Sequence, residues 1–474
     1  MDFMYNRIWI ILLGGHMTYY LAIDIGASSG RHILAHMENR LLVMEEIYRF
    51  ENSIKKTDHG LTWDVDNLFR EVLNGMKVAK SLGKIPKTVA IDTWGVDYCL
   101  LDADKQLLSP VYAYRDSERA KIVDEVHAIL PHSALYEKTG IQFQPFNTVY
   151  QLYADKKSGK LDRAQYFMQI PDYLAYRLTG KIQNEYTNAT TTSLVNAQTK
   201  TWDSDILSIL GLPTHLFGEL TMPTETIATL STETVDTLGY NTTVIACPTH
   251  DTASAFVATI GGERTATISS GTWSLLGTEQ LSAYTNDAAR QANFTNEGGI
   301  GYRFRFLKNI MGMWLIQNVR KETGKVYSYN ELMSLAQNSS YQKIFDVNHP
   351  SLSAPESMIN AITSLLGESS LPLGDLMASI YHSLSDSYRQ AIREMSSVTG
   401  IQFDTLQIVG GGSSDSYLNK LTAKATGLRV LSGPKEGTAI GNAATQLMAD
   451  LKMDLGEIRT IIQNSFSVRE VGTV

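Results

Sequence analysis

Asp24 and Arg31 flank the small-residue run Gly26-Ala27-Ser28-Ser29-Gly30. Residues this small let backbone N–H groups approach a ligand closely. A turn of exposed amides and hydroxyls beside one arginine can cradle phosphate oxygens, and a carboxylate at its rim can hold a hydrated Mg²⁺. Apolar residues 20–23 before the turn and Ile33-Leu34 after it predict strand, tight turn, strand. From this stretch alone, an ordinary hairpin with a small-residue turn reads the same way.

The same five residues also fit G-x-S-x-G, the nucleophile elbow of α/β-hydrolases. That elbow needs a helix directly after it and an oxyanion loop before it. Here the sequel is not clearly helical and too little chain precedes, which weighs against a hydrolase.

The theme recurs. Residues 264–279 hold an apolar-alternating run, then Ser269-Ser270-Gly271-Thr272, then another apolar run. Two such units about 240 residues apart predict a duplicated α/β domain, two lobes clamping one ligand between paired phosphate turns. A third glycine-rich turn, Gly410-Gly411-Gly412, lies between strand residues 406–409 and a helical pattern over 415–425 that stops at Gly427. Glycines there let the backbone lie flat against a planar or phosphate group, and a tight turn would use them too.

A possible base comes from Cys247-Pro248-Thr249-His250-Asp251-Thr252, where proline ends the strand pattern of residues 244–246 and delivers a carboxylate to its mouth. Asp251 before Thr252, Ala253 and Ser254 reads equally as a helix N-cap. Trp94, Gly95 and Asp97 follow a short strand over 88–92, where polar residues past strand ends line the ligand crevice of an α/β sheet. The plainer reading is that Trp94 packs and Asp97 caps a turn.

The elements that must position these groups are legible from periodicity. Leu68, Phe69, Val72, Leu73, Met76 and Ala79 predict a helix over 66–83, and residues 98–101 a further strand. Helices and polar loops dominate 117–201, with threonines in 187–193 that bind sugar hydroxyls or, as we favour, stabilise turns. Ile310, Met313, Trp314 and Gln317 predict a helix over 309–324, which would set Asn309 and Gln317 about 12 Å apart along it. Met377, Ile380, Leu384, Tyr388 and Ile392 predict a core helix over 375–395.

Composition sets bounds. The 474 residues suffice for two or three domains, and 43% hydrophobic with 19% charged residues is ordinary for a globular protein. A net charge of −8 with no basic block argues against nucleic acid as a partner. Cys99 and Cys247, far apart in apolar runs, fit a reducing compartment and neither a disulfide framework nor a cysteine metal site. No apolar run approaches the ~20 residues of a membrane span. Residues 1–16 form a short apolar extension that only faintly resembles a signal peptide, and Met17 could be the working start. No Gly-Lys pair precedes Ser or Thr, so there is no P-loop, and neither H-E-x-x-H nor paired C-x-x-C occurs.

As a set, these residues resemble the superfamily of sugar kinases, Hsp70 and actin. Asp24-Ile25-Gly26 with Ser28, Ser29 and Arg31 is similar to its first phosphate motif, Ser270-Gly271-Thr272 to its second, and Gly410-Gly411-Gly412 to its adenosine motif. The narrower resemblance is to the FGGY family of carbohydrate kinases, and within it to kinases of L-rhamnulose. It is carried by Asp92-Thr93-Trp94-Gly95-Val96-Asp97, Ile170-Pro171-Asp172-Tyr173, Thr249-His250-Asp251-Thr252-Ala253-Ser254-Ala255, Ser270-Gly271-Thr272-Trp273, Thr295-Asn296-Glu297-Gly298-Gly299 and Leu307-Lys308-Asn309-Ile310-Met311-Gly312.

The resemblance implies an α/β fold of two duplicated ribonuclease H-like (actin-like ATPase) domains around an interlobe cleft. It divides the chain into an extension at 1–16, a sugar-binding domain with the first phosphate turn at 17–258, and a domain with the second turn and the adenosine motif at 259–474. The implied activity is ATP-dependent phosphorylation of L-rhamnulose at its 1-hydroxyl, in the cytoplasm. Asp251 would be the general base, with Gly95, His250, Thr252 and Asn309 around the sugar. Ala27, Ser28, Ser29, Gly30, Arg31, Thr272, Gln317 and Gly411 would hold ATP, and Asp24 would hold Mg²⁺ through water. The implied partners are a small ketose and ATP, without nucleic acid or membrane; the oligomeric state stays open between monomer and dimer. Residues 1–16 and Ser413-Ser414-Asp415 depart from the family pattern or are not vouched for by it. The rivals are an FGGY kinase for another ketose such as L-fuculose or xylulose, a non-kinase ATPase of this fold, and an idle sugar-binding protein.

Overall fold

The computed structural model describes residues 17–472, so the extension at 1–16 lies outside the described residues. Six consecutive residues of β1 (Tyr19–Ile25) are buried, which only a central strand covered on both faces can achieve. It pairs antiparallel with β2 (Ser29–Glu38), which in turn pairs with β3 (Leu41–Glu51), and parallel with β4 (Pro86–Thr93). With β5 (Thr226–Thr229) and β6 (Thr243–Ile245) these make a six-stranded sheet in the order β5-β6-β4-β1-β2-β3. Alternate residues of β1 point to opposite faces. Leu21, Ile23 and Ile25 join a core with Leu68, Val72 and Met76 of α1 (Val65–Ser81), the helix expected from spacing, which is capped by Asp64. Tyr20 and Ala22 enter a different core on the other face. After β6 the chain forms α2 (Asp251–Val257), whose N-cap is His250, so Asp251 stands in the first turn rather than at the cap.

The second sheet repeats the plan. β7 (Thr265–Ser270), β8 (Trp273–Gln280), β9 (Thr295–Gly298), β10 (Phe304–Met311), β11 (Thr405–Val409), β12 (Arg429–Ser432) and β13 (Arg469–Glu470) run in the order β9-β10-β8-β7-β11-β12-β13. As in the first sheet, a central strand pairs antiparallel with the next in sequence and parallel with one reached by a long crossover. The duplicated α/β expectation is met in topology. The expected helix over 309–324 is not: it divides into β10 and α3 (Trp314–Glu322). Asn309 pairs with Leu275 across β8, and Gly312 lies so close to Trp273 and Ser274 that an added Cβ would fall 2.7 Å from either. The i, i+3, i+4 spacing of Ile310, Met313 and Trp314 straddles that bend, so the 12 Å separation along one helix does not apply.

The helix expected over 375–395 is α4 (Leu373–Thr399), with Met377, Ile380, Leu384, Tyr388 and Ile392 all buried. Then α5 (Ser416–Thr426) follows the third glycine turn, and α6 (Gly437–Leu451) crosses back to the first sheet. There Thr88 Oγ1 and Tyr20 Oη donate to Gln446 Oε1 (2.6 Å) and Asp450 Oδ2 (2.8 Å), while Asn442 Nδ2 donates to Asp92 Oδ2 at 2.6 Å. The alanines Ala443 and Ala444 with Ile440 and Leu447 cover Tyr20, Ala22 and Ala35. Among the described residues no helix is long and apolar enough to cross a membrane.

Helices α2 and α6 cross at Gly441, where an added Cβ would sit 1.7 Å from the Ser254 carbonyl oxygen. Gly441→Ala gains about 1 kcal/mol of helix propensity. Against that, it forces two backbones apart, and overpacking of this kind typically costs about 1–3 kcal/mol. A net loss of stability is expected, measured as a lower urea midpoint; an unchanged or higher midpoint would show that the crossing can relax.

Candidate active site

The first turn is pinned from behind. Gly26 N–H donates to the Ser29 carbonyl (2.9 Å), and Asn52, which the sequence did not single out, donates its backbone and side-chain N–H to the Ser28 and Gly26 carbonyls. Ala27, Ser28 and Ser29 are left at least partly exposed, whereas Gly30 is buried with the Phe50 ring in the place of a side chain. Arg31 Nη2 and Nε donate to Asp24 Oδ2 at 2.7 and 3.0 Å, and Nη1 pairs with Glu436 of the second lobe.

Asp24 and Asp92 are register partners at the ends of β1 and β4. Burial raises the pKa of Asp24; Arg31 opposes that rise, and the charges of Asp251 and Glu436 add to it. Asp92, fully buried, is pushed well up by burial and then by Asp24 and Asp251, with Asn442 opposing. Its Oδ1 has no hydrogen-bond partner among the described residues.

Asp251 reaches this cluster because Thr93 N–H donates to the Thr249 carbonyl at 2.9 Å, which extends β4 by one bridge and sets α2 at its mouth. Thr249 is itself held through N–H and Oγ1 by Glu185 Oε2, at 3.1 and 2.8 Å. Asp251 Oδ1 accepts from Thr252 N–H (2.5 Å) and Oγ1 (3.0 Å), and no hydrogen bond among the described residues is directed at Oδ2. His250 Nε2 lies 3.5 Å from Asp251 Oδ1.

The flanking residues divide between lining and scaffold. Gly95 is buried against Thr191, whose Oγ1 would lie 3.1 Å from an added Cβ. Asp97 is an anchor: Oδ2 accepts from Trp63 Nε1 (2.6 Å), Trp94 Nε1 (2.9 Å) and Tyr114 N–H (3.2 Å), and Oδ1 from Gln151. Burial lifts its pKa to about 6 against those donors. The threonines after Glu185 serve turns, as favoured: Thr190, Thr191 and Thr192 each return Oγ1 to a carbonyl three residues back.

In the second lobe, Gly271 N–H donates to the Trp273 carbonyl, and the Thr272 and Gly271 carbonyls accept from Trp314 and Met313, so the second turn caps α3. Gln317 is half-buried on α3, whereas Asn309 lies on β10, the strand just before it. Asn309 Nδ2 instead donates at 3.0 Å to Gln142 Oε1, a first-lobe residue the sequence gave no reason to select. Gly410 (φ +85°) and Gly412 press on Ser270, with 2.7 Å and 1.9 Å left for an added Cβ, while Gly411 faces open space. The second and third turns therefore form one surface.

Comparison with known proteins agrees with this layout. The FGGY family of carbohydrate kinases matches by its N-terminal domain over residues 19–258 and by its C-terminal domain over 266–449. A rhamnulokinase of Oceanobacillus iheyensis is 42% identical over 455 residues, covering 94% of this chain and 97% of that protein. One from Halalkalibacterium halodurans is 43% identical over 466 residues, covering 96% and 98%. In fold, the chain is similar to Plasmodium falciparum glycerol kinase with ADP, at a TM-score of 0.78 and 15% identity, over 97% of this chain and 95% of that one.

The glycines of the third turn separate ligand from fold. Gly411→Ala should leave stability within about 0.5 kcal/mol, and Gly412→Ala should lose about 1–3 kcal/mol. Thermal unfolding of both variants, with nucleotide titration of the first, checks the difference. Equal stability losses would mean that Gly411 is also structural.

Proposed function

Because the chain belongs to the FGGY family of carbohydrate kinases, we propose that it transfers the γ-phosphoryl group of ATP to the 1-hydroxyl of L-rhamnulose, yielding L-rhamnulose 1-phosphate and ADP in L-rhamnose catabolism. That it is a sugar kinase using ATP follows from the family. The observation that carries the choice of sugar is identity above 40% to two rhamnulokinases along nearly the whole chain. In this reading, residues 17–258 carry the sugar and first phosphate turn, and residues 259–474 the second turn and adenosine surface. Both cysteines are free and buried, which suits the reducing, cytoplasmic setting we propose.

Phosphoryl transfer asks a protein for position and electrostatics more than for covalent chemistry. Asp251 takes the proton of the 1-hydroxyl, and its unengaged Oδ2 suits that task. Gly95, His250, Thr252 and Asn309 surround the sugar. Residues 27–31 and Thr272 hold phosphates from opposite lobes, while Gln317 and the open face of Gly411 hold the nucleoside side. Asp24 is the proposed carboxylate for Mg²⁺, through water. The fit is electrostatic: Asp24 and Asp92 are raised by burial and by neighbouring carboxylates, and Asp92 Oδ1 is orphaned. Among the described residues no group of three His, Cys, Asp or Glu could chelate a metal, which suits an ion that keeps its waters and takes phosphate oxygens. When bound, Mg²⁺ supplies charge neutralisation at those oxygens.

A coupled ADP-release assay with Mg-ATP against L-rhamnulose, L-fuculose, D-xylulose, glycerol and no sugar tests the assignment. Turnover should strongly prefer L-rhamnulose; preference for another ketose would move the substrate, and sugar-independent hydrolysis would remove the kinase reading of the cleft. Asp251→Asn should lower kcat by about 10²–10⁴ while KM for the sugar stays within a few fold. Near-normal kcat in that variant would take Asp251 out of the role of base.

A further inference from the structure

The β9–β10 hairpin of the second lobe is built into the first. Asn296 N–H and Nδ2 donate to the Gly140 carbonyl, at 2.8 and 3.0 Å, and Gly298 N–H donates to Thr190 Oγ1 at 2.8 Å. On this hairpin Glu297 and Arg305 are direct cross-strand partners, and Arg305 is the largest fully buried side chain among the described residues. Arg305 Nη2 lies 3.1 Å from Glu297 Oε2 and 3.2 Å from His250 Nδ1, while Nε donates to the Gly298 carbonyl at 3.0 Å. Glu297 Oε2 is likewise 3.2 Å from His250 Nδ1. One imidazole nitrogen therefore meets a cation and an anion at equal distance, both supplied by the other lobe.

We infer that Arg305 is a positioning residue that fixes the tautomer of His250, donating to a bare Nδ1 so that the ring proton sits on Nε2 and faces Asp251 and the sugar. This rests on the reading of Asp251 as the base. A guanidinium has only donors, so a nitrogen that accepts from it carries no proton of its own. The Nη2–H bond points at Nδ1 with hydrogen-bond geometry, whereas Glu297 Oε2 receives no hydrogen bond of acceptable angle and engages the pair through charge. Burial pulls the Arg305 pKa down, and Glu297, Asp251 and Glu185 hold it up. Burial also works against the Glu297 charge, but Arg305 and His250 outweigh it and keep that carboxyl below its usual range. Glu297 is thus the counterion that lets a guanidinium exist there.

The consequence lies 3.5 Å away, between Nε2 and Asp251 Oδ1. Oδ1 already accepts twice from Thr252, and a proton on Nε2 turns the positive edge of the ring, rather than a lone pair, toward the same oxygen. Thr252 holds the carboxylate by Oδ1, the Nε2 proton adds a favourable charge contact on that side, and Oδ2 is the oxygen left for the substrate hydroxyl. The opposite tautomer would turn a lone pair toward an anion and loosen both groups.

The full-length protein labelled with ¹⁵N-histidine gives a direct reading through two-bond ¹⁵N–¹H correlation, with the His250 ring signals identified by their loss in His250→Gln. Nε2 should be protonated and Nδ1 bare in the wild type, a measurement that needs no variant at the hairpin to fold. In Arg305→Met the pattern should reverse as Nδ1–H turns to Glu297. kcat should fall about 10–100-fold, the range seen when outer partners of metal-ligating histidines are removed, with KM for ATP unchanged. Arg305→Lys should keep the wild-type tautomer and recover most of kcat. A wild-type Nδ1 that carries a proton, or an Arg305→Met protein with an unchanged tautomer, overturns the inference. The kinetics use whichever sugar the panel selects, so preference for another ketose removes the substrate assignment and leaves this test standing.

Discussion

Like charge gathered in a low-dielectric place is the constraint on which this structure turns. Asp24 and Asp92 lie side by side at the tips of two parallel strands, with Asp251 near enough to raise both pKa values. Buried carboxylates repel one another and lose hydration, so they persist only where fixed donors and cations compensate. The compensation comes from both lobes. Arg31 lies on the same strand pair as Asp24, whereas Asn442 reaches Asp92 from 350 residues away. The anionic cluster therefore depends on the lobes being together.

Much of the site was legible because its signals are local. Strand, small-residue turn and strand around Asp24, the same pattern around Thr272, and the run from the 406–409 strand through Gly410-Gly411-Gly412 to a helix each occupy fewer than 25 consecutive residues. Their turn chemistry is written in residue size. What escaped is long-range pairing. Gln142 meets Asn309 across 167 residues, and Glu185 meets Thr249 across 64, with no periodicity to announce either. Glu297 and Arg305 lay in or beside recognised blocks, yet a buried ion pair looks in sequence like any surface pair. The helix expected over 309–324 failed for a different reason, since apolar spacing across a strand–helix junction mimics one helical face.

Duplication produced sheets of the same plan with different duties. In the first, strand tips deliver carboxylates; in the second, the turn after β7 merges with the glycines after β11 into one small-residue surface. β10 takes the place that β3 has in the first sheet, and β9 is an added strand beyond it, forming a hairpin that the first sheet's edge lacks. It crosses the cleft and places a buried guanidinium against the histidine beside Asp251.

The docking of α6 on the first sheet carries a consequence for how the molecule folds. On this face Tyr20 and Ala22 share a core with Ala35, Leu42, Val257 and Ala258 of their own half and with Ala443, Ala444 and Leu447, which are made much later. The cover on one face of the first sheet thus arrives some 400 residues after the strand it protects. Until α6 is made, that face of the first sheet lacks Ile440, Ala443, Ala444 and Leu447, the side chains that complete its core.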